Sequence, residues 1–209
     1  MRRVLPAAWL GALILAAPAR AAEPGPAVAV RAGWAFPAGR AEEGESLSAT
    51  FTGAVPVGLE ALWRFGDRIS AGIHAEYGFG VLASRFAGAF ASARGGDLRA
   101  GALVRLRFPS TWALEPWVGA GAGWEWARFW VRGAAPGRLG LSGPELQLEA
   151  GADRRLGDRR LAVGPFFSAR IGRYETASES GPGGGSTMGL RRPALHAWLQ
   201  IGLRGGFDW

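Results

Sequence analysis

Along most of this chain apolar residues recur at every second position, and the positions between them are chemically different. In residues 68 to 79 one set is Ile69, Ala71, Ile73, Ala75, Tyr77 and Phe79, and the other is Ser70, Gly72, His74, Glu76 and Gly78. Residues 98 to 108 set Leu98, Ala100, Ala102, Val104, Leu106 and Phe108 against Arg99, Gly101, Arg105 and Arg107, with Leu103 the exception. Residues 145 to 156 set Leu146, Leu148, Ala150 and Ala152 against Glu145, Gln147, Glu149, Gly151 and Asp153. A period of two is the signature of a strand with two unlike faces, and no stretch shows a sustained 3.6 period. The chain is therefore expected to be all-β.

Eight such segments can be marked: 27 to 36, 55 to 65, 68 to 79, 98 to 108, 114 to 126, 145 to 156, 161 to 174 and 195 to 209. "FGDR" (65 to 68), "PSTWA" (109 to 113) and "LGDRR" (156 to 160) read as tight turns, with Gly, Asp or Pro where turns want them. The other four connections, 37 to 54, 80 to 97, 127 to 144 and 175 to 194, are long. An even number of strands with short and long connections alternating predicts an eight-stranded antiparallel up-and-down β-barrel.

Alternation alone does not say which face points inward, because a soluble barrel buries its apolar face and a membrane barrel exposes it. Three features choose the membrane. Aromatics crowd the strand ends on the apolar face: Trp34 and Phe36, Trp63 and Phe65, Tyr77 and Phe79, Phe108, Trp124 and Trp126, Phe207 and Trp209. Such rings favour the headgroup level of a bilayer. Strands of about ten residues suit a tilted crossing of the hydrocarbon. Residues 1 to 22 read as a secretory signal peptide, with Arg2 and Arg3, the apolar run "VLPAAWLGALILAA" and small residues at the cleavage site. The expected organisation is a leader, 1–22, and one transmembrane barrel domain, 23–209.

"VRAGWAFP" (30 to 37) and "GLRGGFDW" (202 to 209) resemble the small outer-membrane β-barrel proteins of Gram-negative bacteria, of the outer-membrane protein A and W kind. The resemblance covers the whole chain after the leader and implies a place in the cell outer membrane, in contact with its lipid. It also implies that Ile201, Leu203, Phe207 and Trp209 form a signal read by the barrel-assembly machinery during biogenesis. No separate peptidoglycan-binding domain is legible.

Charge narrows the function further. The formal charge of +7 falls to 21 minus 17, or +4, once Arg2, Arg3 and Arg20 leave with the leader. The basic residues are spread through strands, turns and loops and are not clustered on one face, so no nucleic-acid partner is expected. With no cysteine, disulfides and thiolate metal sites are excluded. "GAGAG" (119 to 123) precedes "WEWARFW" and not a helix, so it is no phosphate loop; its glycines are expected to make room in a narrow barrel for a bulky neighbour such as Trp117 or Trp198. No cofactor or metal is expected.

The polar face carries His74 and His196, the chain's two histidines. A turn centred on Asp67 sets Glu60 opposite His74, and a histidine with a carboxylate can be a base and its orienter. Some outer-membrane barrels are lipid A deacylases or acyltransferases with a Ser, His and acid set. His74, however, is mid-strand and lumenal, and no motif places a nucleophile beside a base. The chain is not expected to be an enzyme.

The inward charges have a structural use. Arg31, Arg64, Arg99, Arg105, Arg107, Arg170 and Arg204 meet Glu60, Glu76, Glu115, Glu125, Glu145, Glu149 and Asp153. Eight strands leave an interior just wide enough for side chains, so these charges must pair. The turns predict Arg107 opposite Glu115, and Arg170 near Gln147, Glu145 and Glu149. The expected function is structural or surface-interacting: a monomer whose lumen is closed by ion pairs and whose long loops meet an extracellular ligand. The alternatives are porin-like transport of a small solute or apolar compound through the barrel mouth, as relatives of the W kind suggest, and a lipid A-modifying enzyme.

Overall fold

The computed structural model describes residues 24–84, 92–108, 110, 113–132, 137–156, 160–181, 184–190 and 192–209. The expected leader lies outside the described residues, as do parts of the 109–113 and 156–160 turns and of the 80 to 97, 127 to 144 and 175 to 194 connections. In chain order the elements are β1 (Gly25–Glu42), β2 (Glu45–Ser46), α1 (Leu47–Thr50), β3 (Phe51–Arg64), β4 (Ile69–Leu82), β5 (Ser92–Arg107), β6 (Glu115–Arg132), β7 (Gly137–Leu156), β8 (Leu161–Arg173), β9 (Thr176–Gly181), β10 (Gly184–Gly189) and β11 (Leu195–Asp208).

Eight of these strands form a ring. β1, β3, β4, β5, β6, β7, β8 and β11 each pair antiparallel with the next, and β11 returns to β1 from Ala27↔Asp208 to Gly39↔His196. Closure leaves the ring itself without a free edge. Phe65 N–H donates to the Ile69 carbonyl at 2.8 Å to close the first tight turn, where Gly66 adopts φ 93°, a conformation that costs glycine little.

The strands outrun the expected segments at the long-loop end. β6 and β7 stay paired as far as Val131↔Gly137, well inside the stretch 127 to 144 expected as a connection. There the chain has left the apolar layer, so both faces tolerate polar residues and the period-two signal fades while backbone pairing continues. The 175 to 194 connection contains the β9–β10 hairpin. β8 leaves β7 at Glu145↔Gly172, and β9 takes up the same partner from Ser142↔Thr176 to Arg138↔Ser180. The single turn α1 was not expected; four residues are too few to show a helical period.

The faces are inverted relative to a soluble protein. Ile73, Leu146, Leu148 and Leu203 are each about two-thirds exposed (64%, 66%, 64% and 65%), whereas Arg99 and Arg105 are fully buried. Outward apolar side chains and inward guanidinium groups are stable together only where the surroundings are hydrocarbon, which defines a transmembrane β-barrel. Of the "GAGAG" glycines, a Cβ on Gly119 would meet the Glu149 side chain, and one on Gly121 or Gly123 would strike the β5 backbone at Ala102 or Ala100. The tryptophan they were expected to accommodate is instead cradled by Gly151, where a Cβ would lie 2.4 Å from the Trp117 ring.

Candidate functional site: the charged lumen

Strand alternation turns one side chain in two toward the axis, and eight twisted walls bring these side chains together in layers. At the short-turn end, Asp208 accepts from Arg64 (2.9 Å), Arg155 (2.8 Å) and Arg107 (3.5 Å). Arg155 also donates to Glu115 at 3.0 Å. The expected Arg107–Glu115 pair is not made. The connection from β5 to β6 is wider than a five-residue turn, so the Cα partner of Arg107 is Trp117. Glu115 sits at the partly exposed rim.

The next layer is the densest. Glu60 accepts from Arg105 at both carboxylate oxygens (3.0 and 3.1 Å), from Arg204 (3.0 Å) and from Arg31 (3.4 Å). Glu149 accepts from Arg105 (2.6 Å), Arg31 (3.1 Å) and the Gln147 amide (2.8 Å), while Arg204 also reaches Asp153 at 2.8 Å. Trp117 forms the floor of this layer, with the Arg105 guanidinium 4.1 Å from its ring centroid. Glu60 and His74 are Cα partners as the turn predicted, but they are not bonded to one another. Three guanidinium groups occupy the carboxylate, and neither ring nitrogen of His74 has a hydrogen-bond partner among the described residues.

Above it, Glu76 is held by Arg31 (2.9 Å), by the Gln200 amide (3.3 Å) and by Arg170. Arg170 does lie opposite Gln147 and donates to it at 3.2 Å, yet its carboxylate partner is Glu76, from the far wall. Glu145 instead sits 3.3 Å from Arg99. Arg99 gathers Asp97, Glu145 and Glu125, and Glu125 also receives the Tyr174 hydroxyl (2.9 Å) and pairs with His196 Nε2 (2.7 Å). The rings of Tyr174 and His196 stack at 4.1 Å.

An aromatic layer covers this cluster at the long-loop end. Phe51 lies 5.1 Å from Phe129 and 5.6 Å from Trp198, with Leu47 of α1 beside them. Asp97, Asp208, Arg155 and Tyr174 were not among the expected lumen residues. Asp97, Tyr174 and Phe129 were hidden because their positions lie at or beyond the edge of the recognisable alternation. On the opposite surface Ile201 and Leu203 are exposed, and the Phe207 and Trp209 rings meet edge to face at 5.2 Å. No group of three His, Asp or Glu among the described residues is arranged to hold a metal ion.

The ring, its apolar exterior and its packed polar interior define the class: a small eight-stranded transmembrane β-barrel. Solved outer-membrane barrels share the fold. The chain is similar to Neisserial surface protein A, with 13% identity and a TM-score of 0.58 over 88% of this chain and 97% of that one. It is similar also to a major outer membrane protein from Thermus thermophilus, with 10% identity and a TM-score of 0.63 over 90% of this chain and 100% of the other. No family model matches the chain, and neither does a curated protein sequence.

Proposed function

We propose that this protein is an integral outer-membrane barrel with a structural or surface-interaction role, its lumen closed by ion pairs and its long-loop end, including the β9–β10 hairpin, presented to partners outside the cell. The observation that carries this reading is Arg31. At 2% exposure it joins Glu60 of β3, Glu76 of β4 and Glu149 of β7, so one side chain spans the bore between walls. Arg105 and Arg204 repeat the crossing beside it. Charges packed to this degree lack the hydration that a conducting path requires.

Two further features fit an outer-membrane life. Residues 1–22 would direct export, and the outward Ile201, Leu203, Phe207 and Trp209 would serve as the strand read during barrel assembly. Catalysis finds less support: neither histidine has a serine or threonine hydroxyl hydrogen-bonded to it among the described residues, and His196 is committed to Glu125 and Tyr174. Planar-bilayer recording on the refolded barrel tests the proposal. No steady current is expected, and a sustained open current in the unmodified protein would transfer the claim to transport.

A further inference from the structure

Three arginines at the long-loop end point away from the lumen. Arg94 of β5, Arg128 of β6 and Arg138 of β7 occupy outward positions and are exposed. Their register makes them one patch. Arg94 and Arg138 are the Cα partners of Trp130 on its two sides, and Arg128 is the next outward residue of β6 below Trp130. The exposed ion pairs near this end, Arg173–Glu175 and Arg192–Glu43, involve none of the three. The acids adjacent in the sheet, Asp97 opposite Ala127 and Glu179 opposite Leu139, alternate to the other face. Three adjacent cations thus stand without a carboxylate among the described residues of that surface.

The neighbours of Arg128 add donors. Its Cα partners are Gly96 and Gly140. A Cβ on Gly96 would lie 2.5 Å from the Tyr77 hydroxyl, and one on Gly140 would lie 2.5 Å from Ser178 Oγ. The two glycines therefore leave room for a phenol on one side of Arg128 and a serine hydroxyl on the other. A groove of about 1040 Å³ runs along this surface, lined by Tyr77, Phe79, Arg94, Trp130 and Arg138 among others.

Height on the barrel identifies the occupant. The outward residues of β6 from Pro116 to Trp126 are apolar, a run that matches the about 9–11 residues a tilted strand needs to cross the hydrocarbon. Arg128 is the first outward residue above it, at headgroup level. Arginine forks suit phosphate oxygens, and hydroxyls on either side can complete their coordination. A soluble anion would have no use for the aromatic groove or for the apolar surface beneath. The geometry points to a binding site for a phosphate-bearing membrane lipid, its headgroup on Arg94, Arg128, Arg138, Tyr77 and Ser178 and its chains along the outer face of β4, β5 and β6. This inference rests on the membrane reading above.

The test uses the chain without its leader, refolded into phosphatidylcholine vesicles containing a minor fraction of bisphosphorylated lipid A or of the same lipid dephosphorylated. Native mass spectrometry then reads the lipid each barrel retains. The unmodified protein is expected to keep the phosphorylated lipid and not the dephosphorylated one. Replacing Arg94, Arg128 and Arg138 together by Gln should reduce retention at least about tenfold, the effect of losing charge-assisted contacts. Arg154→Gln, outward near the other end of β7, should leave it unchanged. Tyr77→Phe with Ser178→Ala, which keeps all three charges, should weaken retention by a smaller factor and serves if the triple variant does not fold. Equal retention of the two lipids, unchanged retention in the variants, or release by inorganic phosphate would each overturn the site. A barrel that inserts but shows no preference refutes only this site, whereas one that never inserts refutes the membrane reading and the site together.

Discussion

Arg105 on β5 grips both oxygens of Glu60 on β3, Nη1 3.0 Å from Oε2 and Nη2 3.1 Å from Oε1, reaching past the intervening strand β4. Parallel contacts of this kind fix geometry as well as charge. Because Arg204 and Arg31 share the same fully buried carboxylate, losing Glu60 takes a contact from three buried guanidinium groups at once and leaves the cluster one negative charge short, although Arg105 keeps Glu149, Arg204 keeps Asp153 and Arg31 keeps Glu76 and Glu149. Glu60→Ala should cost about 3–5 kcal/mol, the usual consequence of removing one partner from a buried ionic cluster. A urea titration of the barrel in vesicles reads this directly, and a midpoint shared with the unmodified protein would mean that the cluster is not what holds the walls together.

Glu115 should behave otherwise, although both residues are lumenal carboxylates. Its side chain is about a third exposed (32%), and its partner Arg155 keeps Asp208 at 2.8 Å when Glu115 is gone. Glu115→Ala should therefore cost only about 0–1 kcal/mol, as for a solvent-screened pair. The same titration compares the two variants; a loss at Glu115 as large as that at Glu60 would contradict the layered description of the lumen.

The contrast between these two acids also shows where sequence reading succeeds. Ile69 to Phe79 could be assigned to faces because every side chain there meets either lipid or lumen, and the chemistry alternates accordingly. Partners were harder. Register brings Glu60 opposite His74 and Arg170 opposite Gln147, but an arginine is long enough to cross a narrow barrel and choose an acid on another wall, as Arg170 does with Glu76. Arg107 and Glu115 do not meet because a turn assigned five residues is wider, which moves the register by two. Asp97, Tyr174 and Phe129 lie where the outward residues are no longer continuously apolar, so nothing in the local pattern marked them as inward.

Close packing around Trp117 gives an independent check on the interior. A Cβ added at Gly151 would sit 2.4 Å from that ring, which is itself held under Arg105, whereas one at Gly205 would find only a Val30 methyl at 3.8 Å. Gly151→Ala should destabilise the barrel by about 1–3 kcal/mol through overpacking. Gly205→Ala should be neutral or slightly stabilising, since it restricts the unfolded chain without a clash. Equal effects at the two sites would show that Trp117 can move aside.

Orientation can be read from labelling, and the absence of cysteine in the chain makes single introduced thiols unambiguous. Ser186→Cys, on the exposed hairpin strand β10, should react with a membrane-impermeant maleimide on intact cells. Asp67→Cys, in the tight turn between β3 and β4, should react only after the envelope is permeabilised. The reverse pattern would place the short turns outside and invert the proposed topology.

Phe207 and Trp209 form an aromatic pair at the outward end of the last strand. Their rings pack edge to face at 5.2 Å on the outward side of the short-turn end, the level at which aromatic side chains anchor a barrel in the interface. Changing both to Ser removes that anchor and the aromatic part of the expected assembly signal, but leaves Asp208 free to bind Arg64, Arg107 and Arg155 inside. The double variant should therefore reach the outer membrane at much lower levels while its refolding into preformed vesicles is affected less. A suitable control is Met188→Ser, an apolar side chain on β10 about as exposed as Trp209; Phe129 would be a poor one, because it is buried in the aromatic layer over the lumen. Quantitative blotting of outer-membrane fractions measures the outcome. Undiminished levels after the double change would detach β11 from assembly and leave its aromatic pair with an anchoring role alone, which the vesicle experiment would then have to reveal.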